Sequence, residues 1–587
     1  MARAHQPQPP QDHDDGIAFT ALREQTERGG KNVLSQAKFR LLIVIAVFML
    51  GYFAISLRLI DLTLLRGDET RGKTAESASG VPILRGQILD RHGELMATSL
   101  KMASVYADAT LIADPKAVAA ELADILGDVS RDTLQERLSS GRKFVWLSRN
   151  ITPKQEYAIN SLGHPGLGFE HQYRRIYPHG RLTSHLLGYT DVDGRGIAGI
   201  EKSFDRVLTE GEEDVKLTID LRIQHILHRE LEAALKKFEA KAAIGAVMDV
   251  NTGEVIAMVS LPDFDPHHPG EASPDALFNR ATLGVFEMGS TFKLFPTAAA
   301  LEEGKVSFAS QFDASEPIKV GRFKISDYHA KKRMLSVPEV FIYSSNIGTA
   351  KMALSLGPNG LKDFYEELGF SKPVPFDLPE RGTPLFPHPW REVSTMTASF
   401  GHGIAVSPLH LMRSTSALVN GGYLVKPQIL LSEAPRRAAG GERIVSEQTS
   451  QKIRQLLELN VAAGSGSKAY VEGYDVGGKT GTAEKIAAKG YNKKALLSSF
   501  IGVYPVNNPQ YAVLAILDEP KPTKDTYGYA TGGWNAAPVV GRVIEQMGPL
   551  YQIPPSLTHH DIRADMARYL KDDKLAKRGS HETLSDR

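Results

Sequence analysis

The chain has 587 residues, of which 42% are hydrophobic and 23% are charged, and its formal net charge is +1. This length favours two or more globular domains, and the near-neutral charge gives no indication of a nucleic-acid partner. The sequence contains no cysteine, which excludes disulfides, a thiol nucleophile, cysteine-ligated zinc and a lipidated N-terminal cysteine.

The first element in chain order is an apolar segment behind a polar tail. Residues 1–38 are polar and are predicted to form a disordered tail. Leu41–Leu57 carries no charge and lies between Arg40 and Arg58, which predicts one membrane-spanning helix over 39–60. A buried core helix and a cleavable signal peptide are the alternatives, but no small-residue cleavage site follows closely. Lysine and arginine are almost equally frequent on both flanks, so charge alone does not set the orientation.

A turn-rich region of mixed character follows over 61–215 and is predicted to be a separate domain. Its landmarks are "RGQILDRHGELMA" at Arg85–Ala97 and "RRIYPHGRLTSHLLGYTDVDGRGIAGIEKSFD" at Arg174–Asp205. The pattern then changes to apolar residues at helical spacing, which predicts an amphipathic helix. The residues that carry this pattern are Ile223, Ile226, Leu227, Leu231 and Leu235.

Two β-hairpins are predicted in the remainder of the chain. One turns at Asn251–Gly253 and the other at Asn507–Pro509, and such short turns force antiparallel pairing. A long, mostly helical insert separates the hairpins, and a closing helix is predicted near Ala536–Met547. The expected fold class is therefore α+β, with an antiparallel sheet covered by helices over 216–555. The charged tail 556–587 is expected to bury little.

The stretch "GVFEMGSTFKLFP" holds Ser290 and, three residues later, Lys293. Ser290 is predicted to cap a long apolar helix, which places both side chains on one helix face, and Pro296 is expected to kink or end that helix. A serine hydroxyl needs a base to become a nucleophile. With an ordinary pKa near 10.4, roughly one lysine in 2,500 is neutral at pH 7. A catalytic role for this pair therefore requires that Lys293 be buried and that a second cation lie nearby, because both lower the pKa of the lysine.

The Ser-x-x-Lys spacing is not decisive alone, because it recurs in polar or glycine-rich sequence and beside the apolar segment. The other copies are Ser35–Lys38, Ser140–Lys143 and Ser465–Lys468. Only Ser290 precedes a long apolar run. The structural alternative for Ser290 is a simple helix cap.

Two further motifs accompany the pair in a fixed order. "IYSSNIG" supplies Ser344 and Asn346 at a predicted helix start, although Ser-x-Asn also occurs at Ser148–Asn150. "VGGKTGTAEK" occurs once, and its structural alternative is a glycine-tolerant edge strand. It places on a predicted strand the residues Lys479, Thr480, Gly481 and Thr482. Together the three motifs resemble the set of penicillin-recognising acyltransferases.

The resemblance is specific to the class B penicillin-binding proteins and covers the chain from the anchor to about residue 552. It implies a cytoplasmic tail, a single transmembrane helix, an elongated non-catalytic pedestal domain over 61–215 and a transpeptidase domain over 216–555. "VPEVFIYSSNIG", "SFGHGIAVSPLHL" and "GYATGGWNAAPVVGRV" resemble the division type more than the elongation type. Met288 departs from the proline that many relatives carry at this position.

The resemblance also implies a role for each motif residue. Ser290 would attack the carbonyl between the last two D-alanines of a stem peptide, with Lys293 as its base. Ser344 would relay a proton to the leaving D-alanine and Asn346 would hold the substrate amide. Lys479 would supply the second cation. The residues expected to bind the substrate tail are Thr480, Gly481 and Thr482, and the Ser290 and Thr482 N–H groups would form the oxyanion hole.

The implied location is the inner membrane, with the catalytic domain in the periplasm at the division septum. The implied partners are peptidoglycan stem peptides, β-lactams, an FtsW-type glycan polymerase and other division proteins. No cofactor and no metal are implied, since the best histidine group, "DPHHPG" at Asp265–Gly270, is more typical of a solvated loop.

Several alternatives remain open from the sequence. They are an elongation-type transpeptidase, a D,D-carboxypeptidase or β-lactamase with water as acceptor, a bifunctional enzyme with glycosyltransferase activity, and a non-catalytic sensor or scaffold.

Overall fold

A computed structural model of the chain describes residues 41–53, 55–56, 84–210, 214–321, 323–432, 441–487, 490–556 and 561–571. The chain divides into two units, Met1–Pro82 and Ile83–Arg587. In the first unit, residues 41–53 and 55–56 are helical. The polar tail 1–38, with the Ser35–Lys38 pair, and positions 39–40, 54 and 57–60 of the predicted anchor lie outside the described residues.

Among the residues that the structure describes, no helix combines the length and the hydrophobicity needed to cross a membrane.

The part of the second unit that precedes residue 217 is built on a mixed sheet. Within the described residues its strand order is β3-β2-β1-β5, and β4 also pairs with β2. The strands are β1 (Ile88–Leu89), β2 (Leu95–Ala107), β3 (Val145–Ile151), β4 (Leu167–Ile176) and β5 (Val215–Lys216). The helices are α1 (Pro115–Leu126), α2 (Arg131–Leu138), α3 (Pro153–Ser161), α4 (Ser184–Leu187), α5 (Gly199–Ser203) and α6 (Asp205–Glu210).

The two landmark motifs of this region meet in one buried ion-pair cluster. Arg85, from the first motif, donates to Glu201 at 2.5 Å and to Asp205 at 2.7 Å. Arg175, from the second motif, donates to the other oxygen of Glu201 at 2.6 Å. Glu201 is fully buried, so its charge is compensated by two guanidinium groups. The motif residues thus hold distant parts of this region together.

A second sheet forms the centre of the remaining chain. Among the described residues its order is β14-β15-β16-β6-β7, antiparallel throughout. Its strands are β6 (Ala242–Asp249), β7 (Val255–Leu261), β14 (Gly477–Ala487), β15 (Gly490–Tyr504) and β16 (Tyr511–Asp518). Both predicted hairpins are confirmed, as β6–β7 and β15–β16. The short peripheral strands are β8 (Gln311–Asp313), β9 (Ile318–Val320), β10 (Phe323–Ile325), β11 (Met334–Ser336), β12 (Tyr423–Leu424) and β13 (Glu442–Arg443).

Helices cover both faces of this sheet. The predicted amphipathic helix is α7 (Leu221–Lys237), and it packs on one face beside the predicted closing helix, which is α16 (Ala536–Leu550). The other face is covered mainly by α9 (Leu294–Glu302), α14 (Pro408–Val419) and α15 (Glu447–Ala463). The remaining helices are α8 (Pro274–Leu277), α10 (Val337–Ile342), α11 (Asn346–Leu354), α12 (Gly357–Glu367), α13 (Glu392–Ala398) and α17 (Ile562–Met566). The predicted helix-covered antiparallel sheet is confirmed.

The C-terminal segment departs from the prediction that the tail would bury little. Helix α17 and the 3-10 turn Ala567–Tyr569 that follows it bring Ile562, Met566 and Leu570 to one side, where each is buried. Their four-residue spacing makes a short apolar stripe within an otherwise charged sequence. The prediction was wrong here because charge, rather than apolar spacing, was used to judge the tail.

Candidate active site

The turn that carries Ser290 is a 3-10 helix, Gly289–Lys293, and it runs directly into α9. The prediction that Ser290 caps this helix is wrong, because Met288 occupies the capping position and Gly289 turns the chain with φ +57°. Ser290 is therefore the second residue of the turn, and its side chain is half-buried. No kink is needed at Pro296, which lies in the first turn of α9, where backbone N–H groups have no intrahelical partner.

Lys293 ends this turn and is buried, with 1% of its surface exposed. Its ammonium group donates to the carbonyl oxygen of Ser344 and, at 3.0 Å, to the hydroxyl of Ser344. Ser290 and Lys293 thus share one short turn, and the lysine side chain connects that turn to the Ser-x-Asn motif. In the described part of the chain, no carboxylate forms an ion pair with Lys293.

Lys479, from the Lys-Thr-Gly motif on β14, reaches the same hydroxyl group. Its Nζ donates to Ser344 Oγ at 3.1 Å and to the carbonyl oxygen of Thr480 at 3.3 Å. The side chain is fully buried, and Nζ lies 5.6 Å from the ring centroid of Phe341. Two buried amino groups from distant parts of the sequence therefore converge on one serine hydroxyl.

Burial and mutual repulsion change the protonation of these amino groups. Burial lowers the pKa of Lys479 to about 7. Burial, followed by the charge of Lys479, holds the pKa of Lys293 well below its ordinary value, and Asp327 opposes this shift weakly. A low-dielectric environment disfavours the ammonium form, and a neighbouring cation disfavours it further. The site thus makes a neutral lysine available near neutral pH, as the sequence argument required.

Ser344 holds an unusual backbone conformation, with φ +55°. A non-glycine residue in this left-handed region is uncommon and needs support from its surroundings. The next residue, Ser345, caps α11 by accepting a hydrogen bond from the N–H of Gly348. Asn346 is the first residue of that helix, which confirms the predicted helix start, and its amide donates to the carbonyl oxygen of Ser326 at 2.9 Å.

The carboxylate of Asp327 accepts two hydrogen bonds from the residues that follow Ser344. One carboxylate oxygen accepts from Ser345 Oγ at 2.7 Å, and the other accepts from the N–H of Ile347 at 3.0 Å. A carboxylate at the first turn of a helix is favourably placed relative to the helix dipole. Asp327 belongs to none of the motifs that the sequence analysis identified, so the prediction missed this residue.

The Lys-Thr-Gly motif lies on a strand, β14, as predicted, and β14 is an edge strand of the central sheet. Thr480 Oγ1 lies 2.6 Å from Ser465 Oγ, and Thr482 Oγ1 accepts a hydrogen bond from the N–H of Gly532 at 3.3 Å. Ser465 belongs to one of the other Ser-x-x-Lys copies, which lies in glycine-rich loop sequence. The structure places this serine directly beside the Lys-Thr-Gly strand.

The Ser290 turn packs closely against β14. A Cβ at Gly289 would lie 2.6 Å from the carbonyl oxygen of Thr482. The N–H and C=O of one residue in an antiparallel strand point to the same side, so the Thr482 N–H also faces the Ser290 turn rather than β15. The backbone thus places the Thr482 N–H beside the turn that carries Ser290, which is the geometry that an oxyanion hole requires.

Gly481 permits this approach, and we expect Gly481→Ala to destabilise the site. A Cβ there would lie 2.3 Å from Ser499 Oγ and 2.7 Å from the carbonyl oxygen of Met288. Forced overpacking of this kind costs about 1–3 kcal/mol. Thermal unfolding of the purified chain measures the loss. The control is Gly270→Ala, where a Cβ meets nothing within 4 Å, and it should stay within about 0.5 kcal/mol of the parent. Equal stability of the two variants would show that the turn does not press on β14.

A second group of side chains near the turn was also missed from the sequence. Glu287 accepts from the N–H of Gly403 at 2.8 Å and from the hydroxyl of Tyr491 at 3.1 Å. The imidazole of His402 stacks on Tyr491 with a centroid separation of 5.1 Å. Burial, and then the charge of Lys293, lower the pKa of His402 to about 4, so this imidazole is neutral at pH 7. These contacts tie the tip of the β14–β15 hairpin to the segment just before Ser290.

No three potential metal ligands come together among the described residues. The groups gathered at the site are amines, hydroxyls and backbone amides, which suit covalent acyl transfer and the binding of an anion.

Comparison with known proteins places this geometry in a family. Residues 243–545 match the family model described as the penicillin binding protein transpeptidase domain, and residues 81–223 match the penicillin-binding protein dimerisation domain. The chain is 41% identical over 491 residues to a probable peptidoglycan D,D-transpeptidase FtsI of Caulobacter vibrioides, covering 81% of this chain and 83% of that protein. It is 31% identical to the peptidoglycan D,D-transpeptidase FtsI of Escherichia coli, covering 78% of this chain and 82% of that protein.

A solved structure shares the fold. The crystal structure of penicillin binding protein 3 from Mycobacterium tuberculosis, complexed with aztreonam, superposes with a TM-score of 0.64 at 24% identity, covering 81% of this chain and 98% of that one. The family models and the relatives agree with the three motifs on which the sequence prediction depended. The chain therefore belongs to the penicillin-binding protein transpeptidase family and, within it, to the FtsI-like class B penicillin-binding proteins.

Proposed function

We propose that the chain is a septal peptidoglycan D,D-transpeptidase that crosslinks stem peptides through a serine acyl-enzyme. The observation that carries this proposal is the convergence of Lys293 and Lys479 on the hydroxyl of Ser344, beside the turn that holds Ser290. Two buried amines without a paired carboxylate are costly for folding, and such perturbed groups cluster at catalytic sites. The FtsI relatives named above carry the same activity in their names.

In the first half-reaction, neutral Lys293 takes the hydroxyl proton of Ser290 as the oxygen attacks the carbonyl between the two terminal D-alanines. The backbone N–H groups of Ser290 and Thr482 stabilise the oxyanion that forms. The C–N bond then breaks, and the leaving D-alanine receives a proton through Ser344, which contacts both lysines. The product is an ester between Ser290 and the shortened stem peptide, together with free D-alanine.

In the second half-reaction, an amine of a neighbouring stem peptide attacks this ester. The amine loses a proton to the base, Ser290 recovers its own proton, and the new amide is the crosslink. The acyl donor lies along the exposed edge of β14 as an added strand, with Asn346 holding its amide. Thr480 and Thr482 bind its terminal carboxylate, and the cation of Lys479 strengthens that site. A β-lactam enters as an analogue of the donor and leaves a long-lived ester on Ser290.

Replacing Lys479 by methionine tests the electrostatic part of this mechanism. Removal of the neighbouring cation makes the protonated form of Lys293 less unfavourable, so the pKa of Lys293 rises. We expect the acidic limb of the acylation rate against pH to move to higher pH, because the base then needs a higher pH to become neutral. Stopped-flow acylation by a fluorescent penicillin between pH 5 and 9 measures this limb. If the acylation rate of the variant falls but the acidic limb of its pH profile does not move, Lys479 does not act as the second cation.

The activity is tested with a D-Ala-D-Ala donor in the presence and absence of an amine acceptor. A transpeptidase gives a crosslinked product and one free D-alanine for each bond formed. A D,D-carboxypeptidase gives only the hydrolysed donor, whatever the acceptor concentration. Hydrolysis as the sole reaction would therefore replace the transpeptidase proposal with the carboxypeptidase alternative.

The septal role and membrane location are also proposed, with the catalytic domain in the periplasm and an anchor at 39–60. The uncharged run Leu41–Leu57 and the names of the FtsI relatives support this assignment. An FtsW-type glycan polymerase and other division proteins are the proposed partners.

Depletion of the protein should give filamentous cells, and deletion of 39–60 should release the chain from the membrane fraction. Rounded cells would instead favour the elongation type.

A further inference from the structure

The C-terminal clamp, defined as residues 561–571, packs against the helix that leads to Ser344. Its buried residues Ile562, Met566 and Leu570 form one apolar cluster with Ile342 of α10 and Leu459 of α15. Each of these side chains is at most 8% exposed. The clamp is therefore packed into one hydrophobic cluster with α10 and α15, although its sequence is rich in charged residues.

Polar contacts hold the clamp to α10 in addition to this cluster. Ser336, which caps α10, donates from its hydroxyl to the carbonyl oxygen of Tyr569 at 2.6 Å. Glu339, fully buried on α10, accepts from the backbone N–H of Lys571 at 2.8 Å. The ring of Tyr569 also contacts Phe308, with 5.7 Å between centroids. Both ends of the first turn of α10 are thus bonded to the clamp.

The helix that the clamp covers ends two residues before Ser344. Ile342 is the last residue of α10 and contacts the clamp, and Ser344, whose hydroxyl contacts both lysines, holds a left-handed backbone conformation. A non-glycine residue keeps such a conformation only where its neighbours hold it in place. The position of Ser344 therefore depends on how firmly α10 is packed.

The clamp also contacts the helix that supports the Lys-Thr-Gly strand. Helix α15 carries Leu459, which packs on the clamp, and the adjacent Asn460, which is fully buried. The Asn460 amide donates to the carbonyl oxygen of Gly478 at 2.8 Å, and its oxygen accepts from Ser465. The clamp therefore packs against the helix that leads to Ser344 and against the helix that supports the strand of Lys479.

We propose that the C-terminal clamp positions Ser344, through α10, for acylation of Ser290. The clamp touches neither substrate nor reacting atoms, so its residues are positioning residues. The inference rests on the proposed acyl-transfer function. It assigns to the C-terminal segment a requirement for the rate of the chemical step, separate from any contribution to folding.

The test compares two aspartates placed in the same short helix of the full-length protein. Met566→Asp puts a charge into the buried contact with α10, whereas Ala564→Asp, two residues earlier, is on the exposed side. Stopped-flow measurements with a fluorescent penicillin separate non-covalent affinity, acylation rate constant and the fraction of protein that reacts. We expect Met566→Asp to lower the rate constant about 10-fold or more, with affinity within about twofold of the parent, because a small misplacement of a catalytic group has a large kinetic effect. Ala564→Asp should match the parent.

A purely structural clamp predicts a different result, namely a smaller reacting fraction with an unchanged rate constant, and that result would overturn the proposal. If Met566→Asp does not fold, as judged by loss of a cooperative melting transition, Leu570→Ala provides the same comparison with a smaller perturbation. An unchanged rate constant in folded Leu570→Ala would also contradict the proposal. Failure of the parent protein itself to react with penicillin would refute the acyl-transfer function instead, so the two failures are distinguishable.

Discussion

Replacing Ser290 by alanine should abolish covalent labelling by fluorescent penicillin and leave the fold intact. The proposed mechanism forms its ester on the Ser290 oxygen and gives Ser344, whose hydroxyl contacts two lysine side chains, a different role. Removal of a catalytic nucleophile lowers turnover by roughly a factor of a million in a serine enzyme. Because the Ser290 side chain is half-buried and makes no capping bond, its loss should change stability by less than about 1 kcal/mol.

The matched control for this variant is Ser140→Ala. Ser140 is an exposed serine in another Ser-x-x-Lys copy, and the variant should label like the parent protein. Gel fluorescence after denaturation, with melting temperature measured on the same samples, provides both readouts. Persistent covalent label on a folded Ser290→Ala protein would end the assignment of the nucleophile.

Replacing Lys293 by alanine should lower the acylation rate constant by about four orders of magnitude or more. General bases contribute about 10²–10⁴-fold to proton transfer, and here the loss also frees the Ser344 hydroxyl from one of its donors. Desolvation of a buried ammonium opposes folding, so its removal offsets part of the cavity that alanine leaves. We therefore expect a folded protein whose melting temperature is close to that of the parent.

Lys143→Ala serves as the control for Lys293→Ala, because Lys143 ends an exposed copy of the same motif. Acylation rates should be measured by stopped flow at pH 7 and again at pH 9. Restoration of activity at pH 9 by hydroxide alone should be small in Lys293→Ala. A Lys293→Ala variant that acylates at the parental rate would exclude this lysine as the base.

The two-lysine arrangement explains why the site needs three distant segments. Burial in the helical turn would by itself lower the pKa of Lys293. It would not by itself orient the lone pair of the amine nitrogen. The hydroxyl of Ser344 orients it, and Lys479 both orients the same hydroxyl and repels a proton from Lys293. Each group is useful only when the other two are present, so single substitutions here should be strongly non-additive.

The sequence predicted the architecture well where apolar periodicity and turn chemistry were strong. The hairpins at Asn251–Gly253 and Asn507–Pro509, helix α7 and the closing helix α16 are all present. Each was indicated by local signals that do not depend on the rest of the chain. The Lys-Thr-Gly motif lies on a strand, as predicted.

The sequence failed where the structure depends on contacts between distant segments. Ser290 was expected to cap a helix, but the close approach of Gly289 to Thr482 selects a 3-10 turn instead. Asp327 belongs to no motif, and only the fold brings it to the Ser345 hydroxyl. Local patterns carry no information on such long-range contacts. The apolar stripe of the C-terminal clamp is different, because its four-residue spacing is a local signal that was missed among the charged residues.

The position of the covalent bond in the acylated protein identifies the nucleophile. The full-length protein should be incubated with penicillin, digested, and analysed by tandem mass spectrometry. We predict one adduct, with the mass of the intact penicillin, on the peptide that contains Ser290. The same adduct on a peptide that contains Ser344 or Ser465, or no adduct on a folded protein, would contradict the assignment of Ser290 as the nucleophile of a two-lysine acyl-transfer site.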